Sequence, residues 1–194
     1  MSLHLTPEEV LIQQTAREFA DKELAPIASK IDQQGEMPRA VLDKMASLGF
    51  LGMLTPEKYG GVGLTNLALA LVQLEINRAC ASTGVTMSVH NSLCQSPILK
   101  FGTDEQKDKY LPRLTKGEWI GAYSLTEPVS GTDAAALITT ATREGGDFVI
   151  PARRTSSPTA VSPTCSSSSR GRTPGRRRSR RGSPRSSSSG PGRG

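Results

Sequence analysis

Aromatic residues supply only 4% of this 194-residue sequence, and none lies beyond Phe148. From Pro151 to Gly194 the sequence also lacks Lys, Asp and Glu. Those 44 positions hold 11 Arg, 13 Ser, 6 Pro, 6 Gly and 4 Thr, completed by Ala152, Ala160, Val161 and Cys165. A segment so poor in apolar side chains cannot bury enough surface to offset the entropy of ordering its backbone, so residues 151–194 are predicted to be a disordered basic tail. The formal net charge of +6 therefore splits in two. Residues 1–150 carry 13 basic against 18 acidic side chains, net −5, and the tail carries +11.

No stretch approaches the ~20 consecutive apolar residues that cross a bilayer, and Met1 to Pro7 has neither the basic nor the apolar region of a signal peptide. A soluble, cytoplasmic protein without a membrane partner is expected. Cys80, Cys94 and Cys165 are odd in number and lack the paired spacing of a metal site or disulfide framework, so buried or idle thiols are expected.

What remains is a helical pattern. Thr6-Pro7-Glu8-Glu9 combines a capping hydroxyl, a proline at the first helical position and the acid of a capping box. Ile12, Ala16, Phe19, Ala20, Leu24, Ile27 and Ile31 follow as one apolar stripe, with a bend near Pro26. Pro38 opens a second helix carrying Val41, Leu42, Met45 and Leu48, and Gly49 ends it. Gly60, Gly61 and Gly63 mark a turn with unusual backbone angles; they lack the Lys-Ser/Thr ending of a phosphate loop. Leu67 to Arg78 reads as a helix buried on most sides, Thr83 to Leu99 as another broken at Pro97, and Gly102-Thr103-Asp104-Glu105-Gln106-Lys107 as the start of a third.

After Trp119 the period changes. Ile120 to Leu125, Leu137 to Arg143 and Phe148 to Ile150 are predicted strands, with Glu144-Gly145-Gly146-Asp147 as a hairpin turn. Between the first two lies Thr126-Glu127-Pro128-Val129-Ser130-Gly131-Thr132-Asp133. A strand running into hydroxyl, Gly and acidic residues gathers backbone N–H groups and hydroxyl donors, which suits an anionic or polar cofactor edge.

The segment from Gly117 to Asp133 resembles the flavin-binding signature of acyl-CoA dehydrogenases. Arg17-Glu18-Phe19-Ala20, Leu48-Gly49-Phe50-Leu51-Gly52, Pro56 to Leu64, and Gly102 to Lys107 with Tyr110-Leu111-Pro112 fall in that family's order and spacing. The resemblance covers residues 5 to 150. It implies a mainly α fold: a helical N-terminal domain over 5–116, and over 117–150 the start of an incomplete middle β domain. It further implies FAD, an acyl-CoA substrate (fatty or branched-chain), an electron-transfer flavoprotein as partner and a homotetramer in intact members. Tyr123, the Leu125 backbone, Thr126, Gly131 and Thr132 match the cofactor contacts; Thr132 also matches a contact to the thioester ligand. Thr86, Val89, His90 and Leu93 match the acyl-pocket segment, His90 as a neutral polar contact. No residue matches the family's Glu base, and Glu127 belongs to the loop signature. Val129-Ser130-Gly131-Thr132 stands where the family has Gly-Ala-Gly-Ser, so Val129 gives up glycine's freedom and Thr132 adds a methyl.

The tail has two readings. As a polycation it would attract phosphates in a salt-dependent way, which makes a noncatalytic helical module that binds nucleic acid the alternative function. It has no aromatic residue to stack on bases, so no specific nucleic acid is expected. The genetic code offers the second reading. One base out of register, each codon becomes a free third base followed by the first two bases of the next codon, and Ser codons beginning TC become Phe, Leu, Ile or Val. Ala152 to Gly171 then decodes as Gly-Thr-Lys-Asn-(Phe or Val)-Ile-Thr-Asn-Gly-Gly-Val-Ala-Asp-Val-Leu-Val-Val-Phe-Ala-Arg. Ser166 to Ser169 become an apolar strand. A lost base near Pro151 is the expectation, leaving a shortened copy that is inactive alone.

Overall fold

The computed structural model describes residues 4–150. The tail, with its predicted disorder and its decoded strand, lies outside the described residues.

The capping box forms as the sequence predicts. The Thr6 hydroxyl accepts from Glu9 N–H at 3.2 Å, and the Glu9 carboxylate accepts from Thr6 N–H at 2.9 Å, starting helix α1, Pro7–Phe19. Pro26 offers no N–H to the carbonyl one turn back, and its ring crowds that carbonyl. The chain accommodates this without a break: a wide π turn at Ala20–Leu24, a tight 3-10 turn at Ala25–Ile27, then α2, Ala28–Gln34. Gly35, with φ +65°, ends α2. Helix α3, Arg39–Ser47, follows.

Helix α4, Asn66–Ala79, packs along α1. Ala16, Phe19 and Ala20 meet Val72 and Ile76 in a core shared with Leu24, Met45 and Phe50, and the Phe19 ring meets Phe50 edge-on at 5.9 Å. Leu74, 65% exposed, departs from the expectation that α4 is buried on most sides; only the stripe facing α1 and its neighbours is covered. Glu75, 4% exposed, sits on that stripe because cations come to it. Arg17 donates twice, at 2.8 and 3.2 Å, and Gln13 once, at 3.0 Å. The Arg17 hydrogen bonds hold this carboxyl below the ordinary glutamate range, against the opposing effect of burial.

Between α3 and α4 the chain folds back on itself. Val62 N–H donates to Gly52 C=O at 2.9 Å, Gly63 N–H to Thr55 C=O at 2.9 Å and Leu64 N–H to Met53 C=O at 2.7 Å. Positive φ at Gly60 (+79°) and Gly63 (+69°) makes the predicted turn.

Helix α5, Ala81–Ser88, widens into a π turn at Val89–Gln95 and continues as α6, Ser96–Phe101. The predicted break at Pro97 is thus displaced: Pro97 occupies the first turn of α6, where its missing N–H costs nothing, and the irregularity falls before it. Helix α7, Asp104–Thr115, starts on a second capping box, Thr103 with Gln106, and runs past Pro112. Among the described residues no helix is long and apolar enough to cross a membrane.

The β prediction is corrected in extent. Among the described residues Ile120 to Leu125 lies in no ladder, and Leu137 to Arg143 contributes only its end. The sheet consists of β1, Thr142–Glu144, paired antiparallel with β2, Asp147–Val149, across the predicted Gly145-Gly146 turn. A strand needs a neighbour to satisfy its backbone and cover its apolar face. Among the described residues that cover is missing: Ile138, Phe148 and Ile150 are 70%, 61% and 44% exposed.

Candidate functional site

The π turn at Val89–Gln95 is the hub from which the loops of the site are hung. In its wide register the Asn91 carbonyl accepts from Ser96 N–H and, at 3.2 Å, from the Ser96 hydroxyl. Four of its five buried residues matter to the loops around it. Asn91 and Gln95 face the 50–55 loop. Asn91 donates to Phe50 C=O at 2.8 Å and Met87 C=O at 3.0 Å, and accepts from Met53 N–H at 3.0 Å. Gln95 donates to Leu51 C=O at 2.6 Å and accepts from the Thr55 hydroxyl at 2.7 Å. Residues 50–55 thereby bury their apolar side chains without stranding their peptide groups.

His90 and Cys94 meet Gly121, and the His90 ring also lies beside the Leu51 backbone. Gly121 N–H donates to His90 Nδ1 at 2.9 Å. That atom is therefore the unprotonated one, and the proton sits on Nε2, which donates to Leu114 C=O at 3.1 Å. His90 is 0% exposed, and burial lowers its pKa to about 4, so the ring is neutral at pH 7. Gly121 must be glycine here: a Cβ would stand 2.3 Å from Cys94 Sγ.

Beyond Gly121 the chain passes through Tyr123, Leu125 and Thr126, each half-buried, into a closed loop. Glu127 and Ser130 exchange backbone hydrogen bonds at 3.0 and 3.2 Å around Pro128-Val129. The Glu127 side chain, in a residue 3% exposed, accepts from the N–H groups of Ile138 (2.9 Å) and Thr139 (3.2 Å). This carboxylate braces the loop from behind, which agrees with its reading as part of the loop signature. Ser130 Oγ donates to Asp133 C=O at 2.6 Å, and Asp133 Oδ1 accepts from Ala135 N–H at 3.0 Å. The inward partners are thus used to close the loop. On its outer edge Gly131 and Thr132 are exposed. Their N–H groups enter no hydrogen bond among the described residues, and nothing lies within 4 Å of where a Gly131 Cβ would be. Open amides beside threonine hydroxyls form a donor set that fits an anionic group such as a pyrophosphate. The residues present are compatible with the cofactor the sequence implies.

Thr86, Val89, His90 and Leu93, matched in the sequence to an acyl-pocket segment, do not share one exposed face. Val89 (5% exposed) and His90 turn inward, Thr86 is half-buried with its hydroxyl donating to Ser82 C=O at 2.9 Å, and Leu93 is 41% exposed. The sequence reading missed Asn91, Gln95 and Gly121. Its one available signal was the run of polar residues His90, Asn91 and Gln95 inside an apolar helical pattern. Among the described residues no cluster of three or more His, Cys, Asp or Glu could hold a metal ion.

Residues 6–118 match the family model "Acyl-CoA dehydrogenase, N-terminal domain". The human mitochondrial short-chain specific acyl-CoA dehydrogenase is 48% identical over 149 residues, covering 77% of this chain and 36% of that protein. Among solved structures, butyryl-CoA dehydrogenase from Megasphaera elsdenii superposes with a TM-score of 0.70 at 36% identity, over 77% of this chain and 40% of that one. A chain of a structure reported as the electron transferring flavoprotein of Acidaminococcus fermentans superposes with a TM-score of 0.73 at 43% identity, over 77% and 40%. This chain spans about two fifths of the length of the relatives it matches. By the family-model match over residues 6–118, the chain belongs to the acyl-CoA dehydrogenase family.

Proposed function

We propose that residues 5–116 and 117–150 are the helical domain and the first part of the β domain of an FAD-dependent oxidoreductase that desaturates acyl-CoA thioesters, and that Tyr123 to Thr132 is its flavin-binding edge. The observation that carries the reading is the outer rim at Gly131 and Thr132, whose exposed amides are left over after Glu127, Ser130 and Asp133 have closed the loop from within. Tyr123, the Leu125 backbone and Thr126 would line the isoalloxazine ring, and Gly131 and Thr132 the pyrophosphate, with the Thr132 hydroxyl also reaching the thioester. Bound flavin supplies the acceptor for the β-hydride. This chain's own residues bind and orient. Thr86 and Leu93 would border the acyl chain, with Val89 and His90 behind them. The proton at the α-carbon needs a carboxylate on the opposite face of the substrate. Glu127 is committed to two backbone amides and does not serve.

The same reading assigns residues 151–194 to a reading frame displaced by one base, because, with serine codons beginning TC, residues 152–171 decode to a polar turn, an aromatic-Ile-Thr segment and an apolar strand. The exposed apolar residues Ile138, Phe148 and Ile150, in and beside the hairpin, support it, since they mark apolar surface made to be covered. It follows that this chain is inactive alone. The tetramer, the electron-transfer flavoprotein and a cytoplasmic setting belong to the intact protein.

The test compares the 194-residue chain with a frame-restored version, each mixed with FAD and passed through gel filtration. The restored protein is expected to elute yellow with about one flavin per chain and to oxidise a short acyl-CoA with an artificial electron acceptor. The 194-residue chain is expected to elute colourless. Stoichiometric flavin on the 194-residue chain, or none on the restored one, contradicts the proposal.

A further inference from the structure

We infer that His90 is a positioning residue: its imidazole is a two-ended strut that fixes the entry of the flavin edge, at Gly121, to the C-terminal turn of α7, at Leu114. The inference deepens the flavin reading and rests on it for the identity of what is positioned.

Three observations converge. The ring is buried, so its contacts are not shared with solvent. Its two nitrogens act in opposite senses, accepting from Gly121 N–H at 2.9 Å and donating to Leu114 C=O at 3.1 Å, with the Leu51 backbone also beside the ring. Gly121 is also pressed so closely onto the π turn that even a methyl group would strike Cys94, so the segment has one seat and no room to slide. Residues Ile120 to Leu125 lie in no ladder among the described residues. The His90 bond is a main-chain anchor at the start of the stretch that leads into Tyr123 and Thr126.

Only a neutral imidazole can fill this place. It presents an acceptor and a donor on opposite sides of a flat, rigid ring. An asparagine carboxamide reaches about as far as Nδ1, and a glutamine carboxamide about as far as Nε2. His90→Asn can therefore keep the Gly121 end of the strut and lose the Leu114 end, while His90→Gln does the reverse. A residue that merely fills space would make no such distinction.

The experiment is hydrogen exchange on the full 194-residue chain and both variants, without flavin, with the α1–α4 pair as internal reference. In His90→Gln, protection of the Gly121 amide is expected to fall about 10- to 100-fold, the loss of one buried hydrogen bond. Protection in α1 and α4 stays within about threefold, well under one such bond. In His90→Asn, Gly121 protection is expected to stay within about tenfold of the parent. Equal effects of the two variants, or a loss spread evenly through α1 and α4, overturn the inference. The parent protein gives a second readout that needs no variant. A scalar coupling between Gly121 N and His90 Nδ1 across the N–H···N bond, with Nε2 carrying the proton at pH 7, is expected. Its absence together with rapid exchange at Gly121 overturns the inference by itself. Because flavin enters neither measurement, failure of the strut and failure of the flavin reading are told apart. The second is decided by the gel-filtration comparison.

Discussion

Asn91→Ala is expected to destabilise the helical unit by about 3–5 kcal/mol, enough to unfold a marginally stable domain. Asn91 is 1% exposed, and its amide serves three backbone groups: Met53 N–H, Phe50 C=O and Met87 C=O. The Met87 carbonyl is one helical turn away, on the same element. The other two belong to a loop whose side chains at Phe50, Leu51 and Met53 are 0% exposed. Truncation leaves a buried donor and a buried acceptor unpaired, each at about 1–3 kcal/mol, in a cavity the size of a carboxamide. Asn91→Asp separates the two ends. The carboxylate can still accept from Met53 N–H but has no hydrogen for Phe50 C=O, and it brings a charge into a site 1% exposed. Chemical denaturation of the full chain measures both. An Asn91→Ala loss under 1 kcal/mol would show that the loop finds other partners.

Gly61→Ala is the second large effect, at or above the upper end of the about 1–3 kcal/mol typical of overpacking. A Cβ at Gly61 would stand 1.9 Å from the Thr55 carbonyl oxygen and 2.5 Å from its carbon. Neither can retreat, because that oxygen accepts from Gly63 N–H and the Thr55 hydroxyl is tied to Gln95. Gly35→Ala is the control. Nothing lies within 4 Å of its added Cβ, so only the positive φ of +65° opposes it, at about 1–2 kcal/mol. Thermal melts are expected to place Gly61→Ala clearly below Gly35→Ala; the reverse order would mean that the 55–61 approach loosens to admit a methyl.

These two sites also mark where the sequence could be read and where it could not. Thr6 with Glu9, Gly49 and the Gly60-Gly61-Gly63 turn were legible because the causes are local: a cap, a stop, a backbone angle. The wide turn at Val89–Gln95 was not. Its cause is tertiary, the demand of the 50–55 loop for polar partners and of Gly121 for an acceptor, and the apolar periodicity of Thr83 to Leu99 passes straight over it. The strands were overcalled for a related reason. Ile120 to Leu125 has strand composition, but a ladder is a property of pairs, and the partner does not lie among the described residues. Of the site, the loop from Thr126 to Asp133 was visible as a gathering of donors. The division of labour within it became visible only in three dimensions: Glu127 behind, Gly131 and Thr132 in front.

The account turns on whether Tyr123 to Thr132 was built to meet walls that the codons after Pro151 encode in another frame. Sequencing genomic DNA across codon 151 tests this most directly. The account predicts one additional base, after which the reading continues through Gly-Thr-Lys-Asn and an aromatic-Ile-Thr segment to an apolar strand and, further on, a glutamate base. An uninterrupted frame through Arg176-Arg177-Arg178 in the genome, with that tail present in the protein isolated from cells, would contradict it.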